Sequence, residues 1–143
     1  MNKIAIIYWS QTGNTKLMAE QILAGAKTAG AEVDLFSVDE IASATALTYD
    51  VLALGCPAMG AEVLEEMEFQ PFFDELLPHL AGKKIALFGS YGWGTGEWMQ
   101  TWQQEVIDSN AILYNQEGLI VNESPDEQGT EQCQNLGAAL ASF

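Results

Sequence analysis

Ile4-Ala5-Ile6-Ile7-Tyr8-Trp9 runs directly into Ser10-Gln11-Thr12-Gly13-Asn14-Thr15, and the reading of that junction decides the fold. The first six residues form an apolar run of strand length. Beyond the polar hexapeptide, Met18, Ile22, Gly25, Ala26 and Ala29 fall on one small, apolar helical stripe. A buried strand, a tight polar turn and a helix start make a natural anion site. The first helical N–H groups have no partner, and the helix dipole favours negative charge there. The hydroxyls of Ser10, Thr12 and Thr15 and the Asn14 amide add donors, while Gly13 lets the chain turn closely about a ligand. The same residue types also serve as an ordinary helix N-cap, so the junction alone leaves two readings open.

Strand and helix patterns alternate through the rest of the chain. Glu32–Phe36 reads as a second strand, followed by a helix from about Asp39 to Leu47. Val51–Cys56 is nearly unbroken in apolar residues, as a central strand buried on both faces requires. Phe72, Phe73, Leu76, Leu77 and Leu80 mark a helix starting near Pro71, and Lys83–Gly89 is another buried strand. Trp98, Met99, Trp102, Val106 and Ile107 give the next helix its core stripe. A last strand is split into Ile112–Tyr114 and Leu119–Val121 by a turn at Asn115–Gly118. The final helix is expected to open with a capping box, Ser124 as N-cap, Pro125 at N1 and Glu127 at N3, and to bury Cys133, Leu136, Gly137 and Leu140. This alternation predicts an α/β fold: one domain over residues 1–143, a parallel sheet with helices on both faces. Ligands of such sheets bind beyond the carboxyl ends of the strands.

Composition narrows the function. Twenty acidic residues stand against five lysines and no arginine, for a formal net charge of −15. That field disfavours nucleic acid and anionic membranes and favours a basic protein partner. Without arginine, a bound phosphate must be held by backbone N–H groups and hydroxyls. No apolar run is long enough for a transmembrane helix, and the N-terminus lacks a secretory pattern, so a cytoplasmic protein is expected. Cys56 and Cys133, far apart and each in apolar surroundings, read as buried free thiols. His79 is read as solvent-facing and without a role, and no metal-ligand spacing occurs.

Two further strand-end loops complete the pattern. Gly55-Cys56-Pro57-Ala58-Met59-Gly60-Ala61-Glu62 follows the third strand, and Gly89-Ser90-Tyr91-Gly92-Trp93-Gly94-Thr95-Gly96 the fourth. Each presents one large polarisable side chain among small residues, Met59 or Trp93. A planar ligand between the two would explain an aromatic residue held where no regular pattern buries it.

Tyr8-Trp9-Ser10-x-Thr12-Gly13-Asn14-Thr15, Leu54-Gly55-Cys56-x-Ala58-Met59-Gly60 and Leu87-Phe88-Gly89-Ser90-Tyr91-Gly92-Trp93-Gly94, in that order and spacing, closely resemble the short-chain flavodoxins of anaerobic bacteria. The resemblance implies a three-layer flavodoxin-like fold, five parallel strands in order 2-1-3-4-5, carrying one non-covalent FMN. Its cofactor-binding set would be Trp9, Ser10, Gln11, Thr12, Gly13, Asn14 and Thr15, then Ala58, Met59, Gly60, Ala61 and Glu62, and finally Ser90, Tyr91, Gly92, Trp93 and Gly94. Within it, Ser10, Thr12, Asn14, Thr15 and the backbone N–H groups from Gln11 to Thr15 would hold the phosphate. Met59 would lie on the inner face of the isoalloxazine ring and Trp93 on the outer. The Met59–Gly60–Ala61 peptide would meet flavin N5, Glu62 would accept from N3, and the backbone of Gly92–Gly94 would meet the pyrimidine edge. The chain departs from the commonest pattern at Gln11, which replaces a glycine, and at Ala61, where glycine, Asp, Ser or Asn often follows Gly60; a required positive φ would strain Gln11.

The implied function is a low-potential electron carrier, not an enzyme, cycling mainly between neutral semiquinone and anionic hydroquinone. Gly60 would turn its carbonyl towards the protonated N5, a flip that glycine makes without a Cβ clash. The acidic run Glu62, Glu65, Glu66 and Glu68 would oppose the anionic form. One carboxylate about 10 Å away at an effective dielectric of ~20 costs roughly 1.7 kcal/mol before screening, on the order of 70 mV. Partners would be basic-surfaced redox proteins, such as oxidoreductases that also use ferredoxin, and the protein a monomer. The alternative is a small FMN-dependent reductase acting on a quinone-like substrate, which needs a substrate cavity over the ring. A phospho-accepting receiver of the same fold is disfavoured by Trp9, Ser10 and Gln11, where that class needs an acidic cluster.

Overall fold

A computed structural model describes residues 2–143. Six strands lie parallel in one sheet: β1 (Lys3–Tyr8), β2 (Glu32–Ser37), β3 (Val51–Gly55), β4 (Lys84–Tyr91), β5 (Ile112–Leu113) and β6 (Leu119–Asn122). The order is β2-β1-β3-β4-β5, with β6 also on β4. β5 and β6 fill one position in turn, Ile112 and Leu113 facing Lys84 and Ile85, and Leu119–Asn122 facing Phe88–Tyr91. The expected 2-1-3-4-5 order is thus present, its fifth strand in two pieces. Tyr114, assigned from sequence to the first piece, instead begins a 3-10 turn (Tyr114–Gln116), where Asn115 and Gln116 both adopt φ +58°.

The helices are α1 (Asn14–Thr28), α2 (Ser43–Ala46), α3 (Phe69–Leu76), α4 (Glu97–Asp108) and α5 (Glu127–Leu140). Among the described residues, none is long and apolar enough to cross a membrane. Period-two alternation along the central strands sends Ile4, Ile6, Val51, Ala53, Ala86 and Phe88 to one face, packed on α1 and α5. Ala5, Ile7, Leu52, Leu54, Ile85 and Leu87 pack on the other face against α3 and α4. Each fully buried Ile or Leu here contributes about 1.5–3 kcal/mol. Trp102 anchors the second face, edge-on to Phe69 and Phe73 at ring separations of 5.5 and 6.0 Å.

The α1–α5 contact explains two glycines. A Cβ on Gly25 would lie 2.0 Å from the Gln134 carbonyl oxygen, and one on Gly137 would lie 2.0 Å from that of Ile22. The two backbones therefore touch, and this draws α1, with the turn at its N-terminus, tightly onto the sheet.

Further boundaries differ from the sequence reading, each for a local reason. The stretch after β2 is not one helix from Asp39 to Leu47. A 3-10 turn (Val38–Glu40) closes on Ser37 through the Glu40 carboxylate, Ile41 is extended, and only then does α2 begin. Next, α3 starts at Phe69, two residues before Pro71, with Glu68 as N-cap, because Glu65 satisfies the first helical amides, its carboxylate accepting from Phe69 N at 3.5 Å and its carbonyl from Gln70 N at 2.8 Å. The cap of α5 is Asp126, whose carboxylate accepts from Gly129 N at 2.7 Å, not a box of Ser124 and Glu127; Pro125 lies outside the helix. Finally, β4 runs on to Tyr91, because β6 continues its ladder. In α4, Ile107 is 41% exposed and does not belong to the core stripe. Cys56 and Cys133 are buried free thiols and His79 is exposed, as read from sequence.

Candidate functional site

The ends of β1, β3 and β4 bring three loops together at one edge of the sheet, as the parallel topology requires. In the first loop, Gly13 caps α1 at φ +98°, with no side chain bonded into the helix. Ser10 Oγ accepts from the amides of Gly13 (3.2 Å) and Lys16 (3.3 Å), which folds the loop back on itself. Among the described residues, the amides of Gln11, Thr12, Asn14 and Thr15 have no hydrogen-bond partner. They are orphan donors gathered at a helix N-terminus, a ready site for an oxyanion. Gln11 does not adopt a positive φ, so its replacement of glycine is unstrained. Thr15 and Ser90 do not face the cleft: both are buried and their hydroxyls bond each other at 3.0 Å, pinning the start of α1 to the end of β4.

The second loop is a closed turn. Met59 N donates to Val63 O at 3.0 Å and Val63 N to Met59 O at 3.1 Å, so Gly60, Ala61 and Glu62 project as its tip. Gly60 has φ +37° and Glu62 φ +56°, both left-handed. Ala58 N donates to Ser90 O at 3.0 Å, joining this loop to β4. A cleft of about 620 Å³ opens here between Trp9, Gln11, the Met59–Ala61 wall and the segment to Glu68. A second, of about 400 Å³, lies between the 9–13 loop, Lys16 and Ser37. Trp9, Gln11 and Glu68 line both, and Trp9 Nε1 donates to Glu68 Oε1 at 3.3 Å.

The third loop carries Trp93, 76% exposed. Asn122 Nδ2 donates to the carbonyls of Tyr91 (3.1 Å) and Gly92 (3.2 Å), and Glu123 N to that of Tyr91 (2.7 Å), so the end of β6 holds the root of the loop. Glu62 reaches across from the second loop: its carboxylate accepts from Gly96 N at 3.3 Å and rests against Gly94. Below them, Trp98 Nε1 donates to Cys56 O at 3.1 Å, tying α4 to the end of β3. Burial pushes the Cys56 thiol up to about 12, so it stays protonated at neutral pH.

All three predicted loops therefore meet. Sequence reasoning missed the side chains that hold them, Asn122, Glu68, Trp98 and above all Glu65. Asn122 had one available signal, its place at the carboxyl end of a strand. Glu65 was read only as one charge of the acidic run opposing the anionic ring, but it is 5% exposed, its carboxylate accepting from the amides of Met67, Glu68 and Phe69.

The donor set suits FMN. Orphan amides and the exposed Thr12 hydroxyl meet the need of a phosphate in a chain without arginine. Met59 and Trp93 offer polarisable faces to a flat ring. A family model described as flavodoxin matches residues 6–137. The chain is 48% identical to the flavodoxin of Megasphaera elsdenii over 96% of its length and 98% of the relative's. It is 43% identical to that of Clostridium beijerinckii, over 96% and 99%. The solution structure of two-electron reduced Megasphaera elsdenii flavodoxin superposes with a TM-score of 0.90, covering 98% of this chain and 99% of that one. With this fold, these loops and these relatives, the chain belongs to the flavodoxin family, whose members bind FMN and carry electrons without being enzymes.

Proposed function

We propose that this protein passes single electrons at low potential, cycling mainly between the neutral semiquinone and the anionic hydroquinone of its FMN. The observation that carries this reading is Trp93, exposed on a loop whose root is held by three hydrogen bonds. Leaving an indole in water is unfavourable, and a flat ring laid against it removes that cost. A ring covered on both faces leaves no space above it for a substrate, which favours electron transfer at its exposed edge over reduction of a quinone. FMN, when bound, supplies the one-electron chemistry; the chain supplies placement.

The amides of Gln11, Thr12, Asn14 and Thr15 would hold the phosphate, in a loop shaped by the Ser10 hydroxyl. Met59 and Trp93 would cover the ring faces, the Gly60 carbonyl would accept a hydrogen bond from a protonated N5, and Glu62 would turn from Gly96 to accept one from N3. Glu66, Glu68 and Glu97 are exposed around the site, so an added negative charge on the ring is disfavoured and basic-surfaced redox proteins are drawn in. Oxidoreductases that also use ferredoxin fit that description. A cytoplasmic monomer completes the reading.

The test is a visible spectrum during stepwise anaerobic reduction. A yellow protein that turns blue before bleaching supports the proposal. Direct bleaching favours a two-electron reductase, and a colourless protein that takes up no FMN overturns the site.

A further inference from the structure

Glu65 is the one buried carboxylate of the acidic run, and its hydrogen-bond partners are backbone amides and a thiol. Its carboxylate accepts from three successive amides, Met67 (2.5 Å), Glu68 (2.7 Å) and Phe69 (3.5 Å), at the entry to α3. Its own N–H donates to Cys56 Sγ at 3.4 Å, and its carbonyl accepts from Gln70 N at 2.8 Å. Cys56 sits at the end of β3 and Phe69 at the start of α3, the two roots of the segment that carries Met59 and Gly60. One residue thus spans both roots. Only Leu64, itself buried, separates it from the Met59–Val63 bridge. The tip of that turn holds Glu62 at φ +56°, a left-handed conformation uncommon for a residue with a Cβ and kept by the surrounding contacts.

We infer that Glu65 is the positioning residue of the ring site: its charge-assisted cap of α3, with its tether to Cys56, fixes the Met59–Val63 turn in the form that receives the flavin. The inference rests on the FMN reading above. Glu65 touches no ring atom; it acts through the turn. Removing its charge loosens the segment 57–69, and the ordering then has to be supplied when the ring binds, which weakens binding. The phosphate loop, attached to β1 and α1, is unaffected.

The experiment compares the FMN-loaded parent with E65Q and C56A. FMN affinity is measured by serial dilution, following the return of free-FMN fluorescence, and amide hydrogen exchange is measured on the loaded proteins. In E65Q the dissociation constant rises ~10-fold, the loss of about one charge-assisted hydrogen bond. Exchange accelerates across 57–69 and stays unchanged across 10–16. C56A keeps the cap and cuts the other tether, so it gives the same pattern with roughly a 2- to 3-fold weaker affinity, a thiol being a weak acceptor. An unchanged FMN affinity in E65Q overturns the inference, and so does exchange that accelerates equally in every element, which would make Glu65 a general stabiliser. Should E65Q fail to fold, parent-like affinity and exchange in C56A overturn it. A parent that releases no FMN because it carries none sinks the FMN reading instead, a separate result.

Discussion

Asn122 gives the sharpest test of the claim that the Trp93 loop is preset for its ligand. Its single amide group bonds two carbonyls, Tyr91 O at 3.1 Å and Gly92 O at 3.2 Å. Substitution by alanine removes both bonds but leaves the Glu123 N to Tyr91 O bond in place. Each neutral bond contributes about 0.5–1.5 kcal/mol net, and the lower end applies because Asn122 and Gly92 are exposed and the freed carbonyl can turn to water. The sum is about 1 kcal/mol, or roughly a 5-fold weaker FMN affinity if the loop must be ordered on binding. Asn122→Asp is the stronger perturbation at constant size: a carboxylate cannot donate, and it places charge beside two carbonyl oxygens. Its cost of about 2 kcal/mol corresponds to roughly 30-fold. Dilution of the FMN-loaded variants, with the fluorescence of released FMN as the signal, gives both numbers. The urea midpoint should move little, because the bonds lie on the surface. If the aspartate variant binds FMN as tightly as the alanine variant, or if both match the parent, the loop does not depend on Asn122 and the reasoning fails.

Further outcomes follow from other contacts. Gly25→Ala and Gly137→Ala should each destabilise by about 1–3 kcal/mol despite the better helix propensity of alanine, because the new Cβ meets backbone that cannot rotate away. The double variant should cost less than the sum, since one separation of α1 and α5 relieves both clashes; strict additivity in urea unfolding would contradict a shared contact. Gly60→Ala, at φ +37°, should lower the abundance of the blue intermediate in a reductive titration, and an undiminished blue species would remove the Gly60 carbonyl from the account. Raising ionic strength should raise the second reduction potential by on the order of tens of mV, with a flat response excluding the acidic field. Cys56 and Cys133 both have thiols pushed up to about 12 by burial, above their unfolded value. Between those values the native state binds more protons than the unfolded chain, so their contribution is complete below about pH 8 and falls as pH rises through 9 towards 12. Urea midpoints across pH 7–10.5 check the sign; Lys83, lowered by burial, acts in the opposite direction.

The alternation of apolar runs with helical stripes was enough to determine a parallel α/β sheet, because burial on both faces of Val51–Gly55 and on one stripe of Met18–Ala26 is written residue by residue. The three loops were legible for the same reason: parallel strands deliver their carboxyl ends to one edge, and Gly, Ser, Thr and Asn mark where the chain turns there. The side chains that set those loops were not legible. Glu65 among Glu62, Glu66 and Glu68 has the composition of a solvated face, and only the approach of α3 to the end of β3 buries it and aims three amides at its carboxylate. Thr15, read as a phosphate donor, and Ser90, read as part of the cofactor-binding set, turn to each other because α1 and β4 converge beneath the cleft. Asn122 reaches Gly92 across thirty positions of sequence. Periodicity records which face of an element is buried; it carries no information about which polar group from a distant element will meet that face, and this the tertiary structure alone decided.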